Sequence, residues 1–317
     1  MSNYDVLTIG SAVLDIFMRS DKFKVVQSSD IPGGIAMCEV YGGKMEVEEV
    51  AIVSGGGATN CAVSFARKDL KTAIIAEMGN DPQSLLIHKD LEEAQVDTRF
   101  IVQEQAETTA VSVILIADDG GRSIMVYRGA AAMLSYPDLP LEDIETRWVH
   151  ISSLGGNLSL LKKILEWAKR KNVRVSLNPG LKEIEAKDKL IALLPMVEIL
   201  FVNRDEAKEL WGIDYSDDVL WRNNQALLGA RVTVITDGSR GGKATIEGKV
   251  EFFDSIKPGK VVDTTGAGDA FASGMVAGVL YGKTYSQSLA WGVKNATAKL
   301  RYVGAKKGLL TLSEIHK

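Results

Sequence analysis

From Trp148 onward the chain repeats one unit: a short apolar run, a turn, an amphipathic stretch, then another apolar run. Trp148 to Ser152 reads as a strand opening on Ser153-Leu154-Gly155-Gly156. Leu158, Leu161, Ile164, Leu165 and Ala168 then give one apolar helix face, with Lys162, Lys163, Glu166, Lys169 and Arg170 outside it. Val173 to Leu177, Ile199 to Val202 and Val232 to Thr236 are the next strands. Strand, helix and strand in succession predict an α/β fold with a mainly parallel sheet and right-handed crossovers. Ligands of such sheets bind beyond the C-terminal strand ends. Near the start, Val6, Leu7 and Ile9 before Gly10-Ser11 predict a first buried strand.

The most chemically specific stretch is Val262-Asp263-Thr264-Thr265-Gly266-Ala267-Gly268-Asp269-Ala270-Phe271. Phe271, Met275, Val276, Val279 and Leu280 recur at helical spacing, so the segment reads as strand end, glycine turn and helix start. Gly266 and Gly268 permit a tight backbone and leave successive N–H groups uncovered. Those groups, with a helix N-terminus behind them, attract an anion. Asp269, in the first turn, can take a proton from a hydroxyl while the amides stabilise a transferring phosphoryl group. A plain reading competes, in which Asp269 caps a helix and the glycines make a bend.

The string Asp-Thr-Thr-Gly-Ala-Gly-Asp-Ala-Phe at 263–271 resembles the C-terminal signature of the ribokinase-like (phosphofructokinase B) family of carbohydrate and nucleoside kinases. The resemblance extends over nearly the full chain. It implies one ribokinase-like domain over 1–317, a central mainly parallel sheet flanked by helices, and a small β-sheet lid from segments at about 12–50 and 108–128. It makes Asp269 the catalytic base and Gly266, Ala267 and Gly268 the anion hole. Asp15, a lone charge in the run Ala12 to Met18, either faces solvent or meets substrate hydroxyls; the family pattern favours the second. Gly55, Gly56 and Asn60 match the N-terminal signature, where glycines let substrate lie against backbone and the Asn amide reads hydroxyls.

Three further motifs point to MgATP by the same resemblance. Asn203 and Glu206 form an Asn-x-x-Glu motif, which also reads as an N-cap with its capping box. Glu206 would act on Mg²⁺ through water. Thr236, Gly238 and Gly241 resemble the nucleotide loop, and a hairpin into Lys243 to Ile246 is compatible with it. Trp291 to Tyr302 is expected as the last long helix, with Asn295 towards the adenine side. Asp263 and Thr265 are candidate ligands of a monovalent cation such as K⁺, with the loop near Gly304-Ala305. Arg128 suits a substrate phosphate or a surface ion pair equally.

Between these motifs, Val40, Met45, Val47 and Val50 suggest short strands. Val111, Val113, Leu115 and Met125 flank a hairpin turn at Asp118-Asp119-Gly120-Gly121. A net charge of -4 over 317 residues argues against nucleic acid as a partner. No apolar run reaches the ~18 residues of a membrane span. Cys38 and Cys61 make no disulfide framework, the N-terminus has no signal-peptide pattern, and a reducing cytoplasm is expected. His88, His150 and His316 lack ligand spacing for a transition metal. The expected reaction is phosphoryl transfer from MgATP to a hydroxymethyl group of a sugar, with a nucleoside as the rival acceptor and a non-catalytic small-molecule-binding relative as the alternative from another class. The lid edges could pair two copies of the chain.

Overall fold

Period-two alternation sorts the strand residues onto two faces, and each face is covered by its own helices. The computed structural model describes residues 2–31, 34–118, 121–213 and 229–317. Its strands in chain order are β1 (Ser2–Ile9), β2 (Val13–Arg19), β3 (Lys24–Gln27), β4 (Ile35–Cys38), β5 (Glu49–Gly55), β6 (Thr72–Ile75), β7 (Glu77–Gly79) and β8 (Val102–Glu104). They continue with β9 (Ala110–Ile116), β10 (Arg122–Tyr127), β11 (Ile144–Ile151), β12 (Arg174–Leu177), β13 (Ile199–Asn203), β14 (Val232–Thr236), β15 (Gly242–Ile246) and β16 (Lys249–Phe253). The main sheet runs β16-β15-β14-β13-β12-β11-β1-β6. It is parallel from β6 to β14, and the last two strands fold back antiparallel.

Leu7, Val149, Leu200 and Val202 point into one core, against Leu161, Ile164 and Leu165 of the helix Leu158–Lys171. Val6, Trp148, Ile199 and Phe201 point into the other, against Phe65, Phe271, Met275 and Trp291. Burying each such side chain contributes about 1.5–3 kcal/mol. Asn157 caps the helix Leu158–Lys171 at its start, and Asn172 closes it in the left-handed region at φ 56°. Both faces are therefore occupied, which leaves the C-terminal strand ends as the open rim.

The lid is a separate sheet of order β10-β9-β2-β5. Strands β2 and β9 run parallel and the other pairs antiparallel. The expected pairing across 111–127 is present as β9 with β10, while Asp119 and Gly120 of its turn lie outside the described residues. So do Pro32 and Gly33 of the 20–50 segment.

Two expectations are corrected. Val261 and Val262 are not a strand end: they are 48% and 43% exposed, with no sheet neighbour to bury them after Pro258-Gly259. The last long helix spans Tyr285–Lys299 rather than Trp291 to Tyr302. Its start is set by Thr284, whose hydroxyl accepts from Gln287 N in a capping box. No described helix is long and apolar enough to cross a membrane.

Candidate active site

The turn after β1, the helix Gly57–Ala66 and the helix Ala267–Leu280 converge at the rim of the main sheet. Gly266 sits at φ 71° as the N-cap of the second helix, and a Cβ there would lie 2.4 Å from Ala305 Cβ. Only glycine meets both conditions. Gly268 differs from the expectation. It is helical, and a Cβ there would meet nothing within 4 Å, so it needs no special backbone and faces open space. The 266–268 amides thus border an open cleft of about 200 Å³, lined also by Asn178, Asn203, Glu206, Thr236, Thr264 and Asp269. Four of those residues end or follow parallel strands β12, β13 and β14.

Asp269 Oδ2 accepts a hydrogen bond from Asn60 Nδ2 at 2.8 Å. The other amide atom, Asn60 Oδ1, is buried and has no partner among the described residues. A buried acceptor in that state is costly unless a ligand donates to it. Burial raises the Asp269 carboxyl to about 6; Asn60 and Lys306 oppose the rise, and the Asp15 charge adds to it. Asp269 is therefore poised to exchange a proton near neutral pH.

Asp15 is 7% exposed on β2. Burial lifts it too to about 6, against a hydrogen bond with Ser112 and the charge of Lys306. Gly55 leaves room for it, since a Cβ there would lie 2.0 Å from Asp15 Oδ2. Gly56, at φ 94°, packs on the chain at Ser11, where a Cβ would meet Ser11 O at 2.5 Å. The first and last thirds of the chain thus place two carboxylates and one amide together.

On the far side of the cleft, Asn203 caps the helix Arg204–Trp211 with a reciprocal box: Glu206 N donates to Asn203 Oδ1 and Asn203 N to Glu206 Oε2, both at 2.8 Å. Burial and then the charges of Asp205 and Asp269 hold the Glu206 carboxyl above its ordinary value. The cap and the cleft position hold together. Thr236 lines the cleft, and Asp237 beside it is fixed by Arg204 at 2.6 Å and Arg240 at 2.8 Å. Gly238 stands at φ 55° in open space; Gly241, at φ 83°, has no room for a Cβ, which would fall 2.1 Å from Phe253 O. No group of three His, Cys, Asp or Glu among the described residues could cage a metal. Glu206 fits Mg²⁺ held through water and brought with phosphates, as that ion keeps much of its hydration.

Four sequence candidates, Asn295, Arg128, Asp263 and Thr265, differ from expectation in their surroundings. Asn295, expected towards the adenine side, is fully buried with its amide engaged inside the protein. Its Nδ2 donates to Ala270 O at 2.7 Å and Ser64 Oγ at 3.1 Å, while its Oδ1 accepts from Leu310 N at 2.9 Å and Lys68 Nζ at 3.3 Å. It ties helices together behind the site. Arg128 is exposed at the end of the lid and makes no ion pair among the described residues. Asp263 and Thr265 do not fit a monovalent cation. Asp263 Oδ1 accepts from Thr265 N and Oγ1 at 2.9 and 2.8 Å, and Oδ2 from Gly304 N at 2.9 Å. The Lys299 ammonium donates to the Asp263 carbonyl at 2.7 Å and lies 3.6 Å from Oδ2, while Arg122 lies 3.6 Å from Oδ1. A further cation at about 4 Å from each would meet repulsion of about 4 kcal/mol per pair.

Sequence reasoning passed over Lys306, whose Nζ binds Asp90 at 2.7 Å and Ser54, and whose charge reaches Asp15 and Asp269. It also passed over Asn178, which lines the cleft while its Nδ2 donates to Phe201 O at 3.1 Å.

The pfkB family carbohydrate kinase model matches residues 5–312. The chain belongs to that family. As a pfkB family member it is an ATP-dependent phosphotransferase of the sugar and nucleoside kinase class. It is 27% identical over 313 residues to an ATP-dependent 6-phosphofructokinase of Thermoanaerobacterium thermosaccharolyticum, covering 95% of this chain and 89% of the relative. It is 30% identical over 260 residues to a cytidine kinase of Thermococcus kodakarensis, covering 79% of this chain and 88% of the relative. The structure of Arabidopsis thaliana ribokinase complexed with ribose and ATP superposes with a TM-score of 0.80 at 21% identity, covering 99% of this chain and 98% of that one. That likeness carries the fold.

Proposed function

We propose that this pfkB kinase transfers the γ-phosphoryl group of MgATP to a hydroxymethyl group of a sugar. The observation that carries the reading is the pairing of Asp269 with Asn60, whose remaining oxygen is buried at the rim of the sheet with no partner among the described residues. Asp15 and Asn60 would bind the acceptor hydroxyls and aim one at Asp269. Asp269 takes that proton as the acceptor oxygen bonds to the γ-phosphorus. The bond from that phosphorus to the bridging oxygen breaks, and ADP leaves with the electron pair. The Gly266, Ala267 and Gly268 amides stabilise charge on the moving group. Mg²⁺, placed by Glu206 through water, would neutralise phosphate charge. Thr236, Gly238 and Gly241 would carry the nucleotide, and lid closure would keep water from competing.

A nucleoside is the second acceptor class, favoured by the similarity to a cytidine kinase over 79% of the chain. Rates of ADP release with sugars, sugar phosphates and nucleosides separate the two. A second copy of the chain would cover the lid: Val50, Ile52, Ile124, Met125 and Val126 lie about half exposed on its two edge strands, β5 and β10. Light scattering should then give twice the monomer mass, and Ile52→Lys should lower it.

A further inference from the structure

Lysine is rarely buried whole, because its ammonium is strongly hydrated. Lys299 is 0% exposed at the end of the helix Tyr285–Lys299. Its Nζ reaches back to the Asp263 carbonyl at 2.7 Å and to the Asp263 carboxylate at 3.6 Å. Around that contact the loop before the anion hole is fastened to the segment after the helix. Val262 N donates to Leu300 O at 2.8 Å, and Gly304 N to Asp263 Oδ2 at 2.9 Å. Gly266 packs on Ala305 with no space for a side chain. Lys299 thus sits where the loop leading into the 266–268 amides is fastened to the segment after the helix.

We propose that Lys299 is the resident cation of this loop, a positioning residue that holds the anion hole in place so that phosphoryl transfer needs no added monovalent cation. The proposal rests on the phosphotransfer reading for its consequence in turnover, but not for the ion-binding behaviour of the loop. Asp263, the one anionic candidate ligand of such an ion, is the residue Lys299 already engages, through both its carbonyl and its carboxylate. A misplacement of about 1 Å in such a group costs up to about 100-fold in rate.

The test compares wild type, Lys299→Met and Lys299→Gln in chloride salts of potassium, sodium and N-methylglucamine at equal ionic strength. Turnover and the thermal midpoint of the unliganded protein are both read. Wild type should show no potassium-specific change in either. The variants should lose about tenfold or more in turnover. Potassium, and not N-methylglucamine, should restore part of the rate and raise the variants' midpoint. Potassium-specific stimulation or stabilisation of wild type would overturn the proposal. So would variants that turn over at the wild-type rate in N-methylglucamine, or that are slow and indifferent to potassium. If neither variant folds, the wild-type salt series decides. Absence of turnover with every acceptor in every salt would count against the phosphotransfer reading alone, since the midpoints still report on the loop.

Discussion

Asn60 donates its side-chain amide to Asp269 at 2.8 Å across 209 positions of sequence, and the buried oxygen of the same amide has no partner among the described residues. In the proposed reaction one side chain would thus steady the carboxylate that takes the proton and offer an acceptor to the group that gives it. Replacing Asp269 separates its two effects. Asp269→Asn should lower turnover by at least ~100-fold with little change in acceptor KM. It should also raise the thermal midpoint at pH 7 by a few degrees, because a charge that burial disfavours is gone. Steady-state rates and a melting curve on the same preparation check both.

The acid limb of the pH–rate profile should report this carboxylate. Asp269 and Asp15 are both held near about 6, each raised first by burial. The base works ionised, so kcat/KM should rise with pH through about 6 and flatten above it. The two carboxylates interact, so the limb belongs to the pair. Asn60→Leu removes a donor that favours the charged form and should move the limb to higher pH. Asp15→Asn removes a repelling charge and should move it lower, along with a weaker grip on the acceptor. The same shifts carry a stability sign: the native state holds these protons longer than the unfolded chain, so stability falls as pH rises from about 4 to about 6.

Gly266 and Gly268 should fail differently. Gly266→Ala meets a φ of 71° and the Ala305 side chain, so it should lower the thermal midpoint by several degrees and the rate with it. Gly268→Ala has open space and should leave the midpoint unchanged. Its methyl group would project towards the phosphates, raising the KM for ATP by about tenfold.

Asn295 should behave as a structural residue. Asn295→Leu strands Leu310 N in the interior and removes one partner each from Lys68 Nζ and Ala270 O, which keep Ser64 and Ser273, at a cost of roughly 1–3 kcal/mol. Denaturant unfolding should show that loss while the KM for ATP stays near the wild-type value.

The parallel strands were legible because a strand buried on both faces is apolar throughout, as in Ile199 to Val202 and Val232 to Thr236. The signature helix was legible from its glycines and spacing. Val261 and Val262 look the same in sequence but pair with no strand among the described residues, and only tertiary structure shows that. Lys299 and Lys306 escaped notice because lysine is ordinarily a surface residue, and their burial depends on Asp263 and Asp90 arriving from distant segments. In sequence Asn295 reads towards the adenine side, because the Ser64, Ala270 and Leu310 groups that engage its amide come from segments only tertiary packing brings together. The parallel pairing of β2 with β9, which builds the lid, joins segments about a hundred residues apart and leaves no local trace.

The most direct test of the account is ADP release from MgATP, measured for wild type and Asp269→Asn against a panel of sugars, sugar phosphates and nucleosides. The account predicts one strong acceptor among the sugars or sugar phosphates, with turnover at least ~100-fold lower in Asp269→Asn. Equal rates for the two proteins on that acceptor would contradict the role given to Asp269. ATP binding with no acceptor turned over anywhere in the panel would contradict the sugar kinase reading.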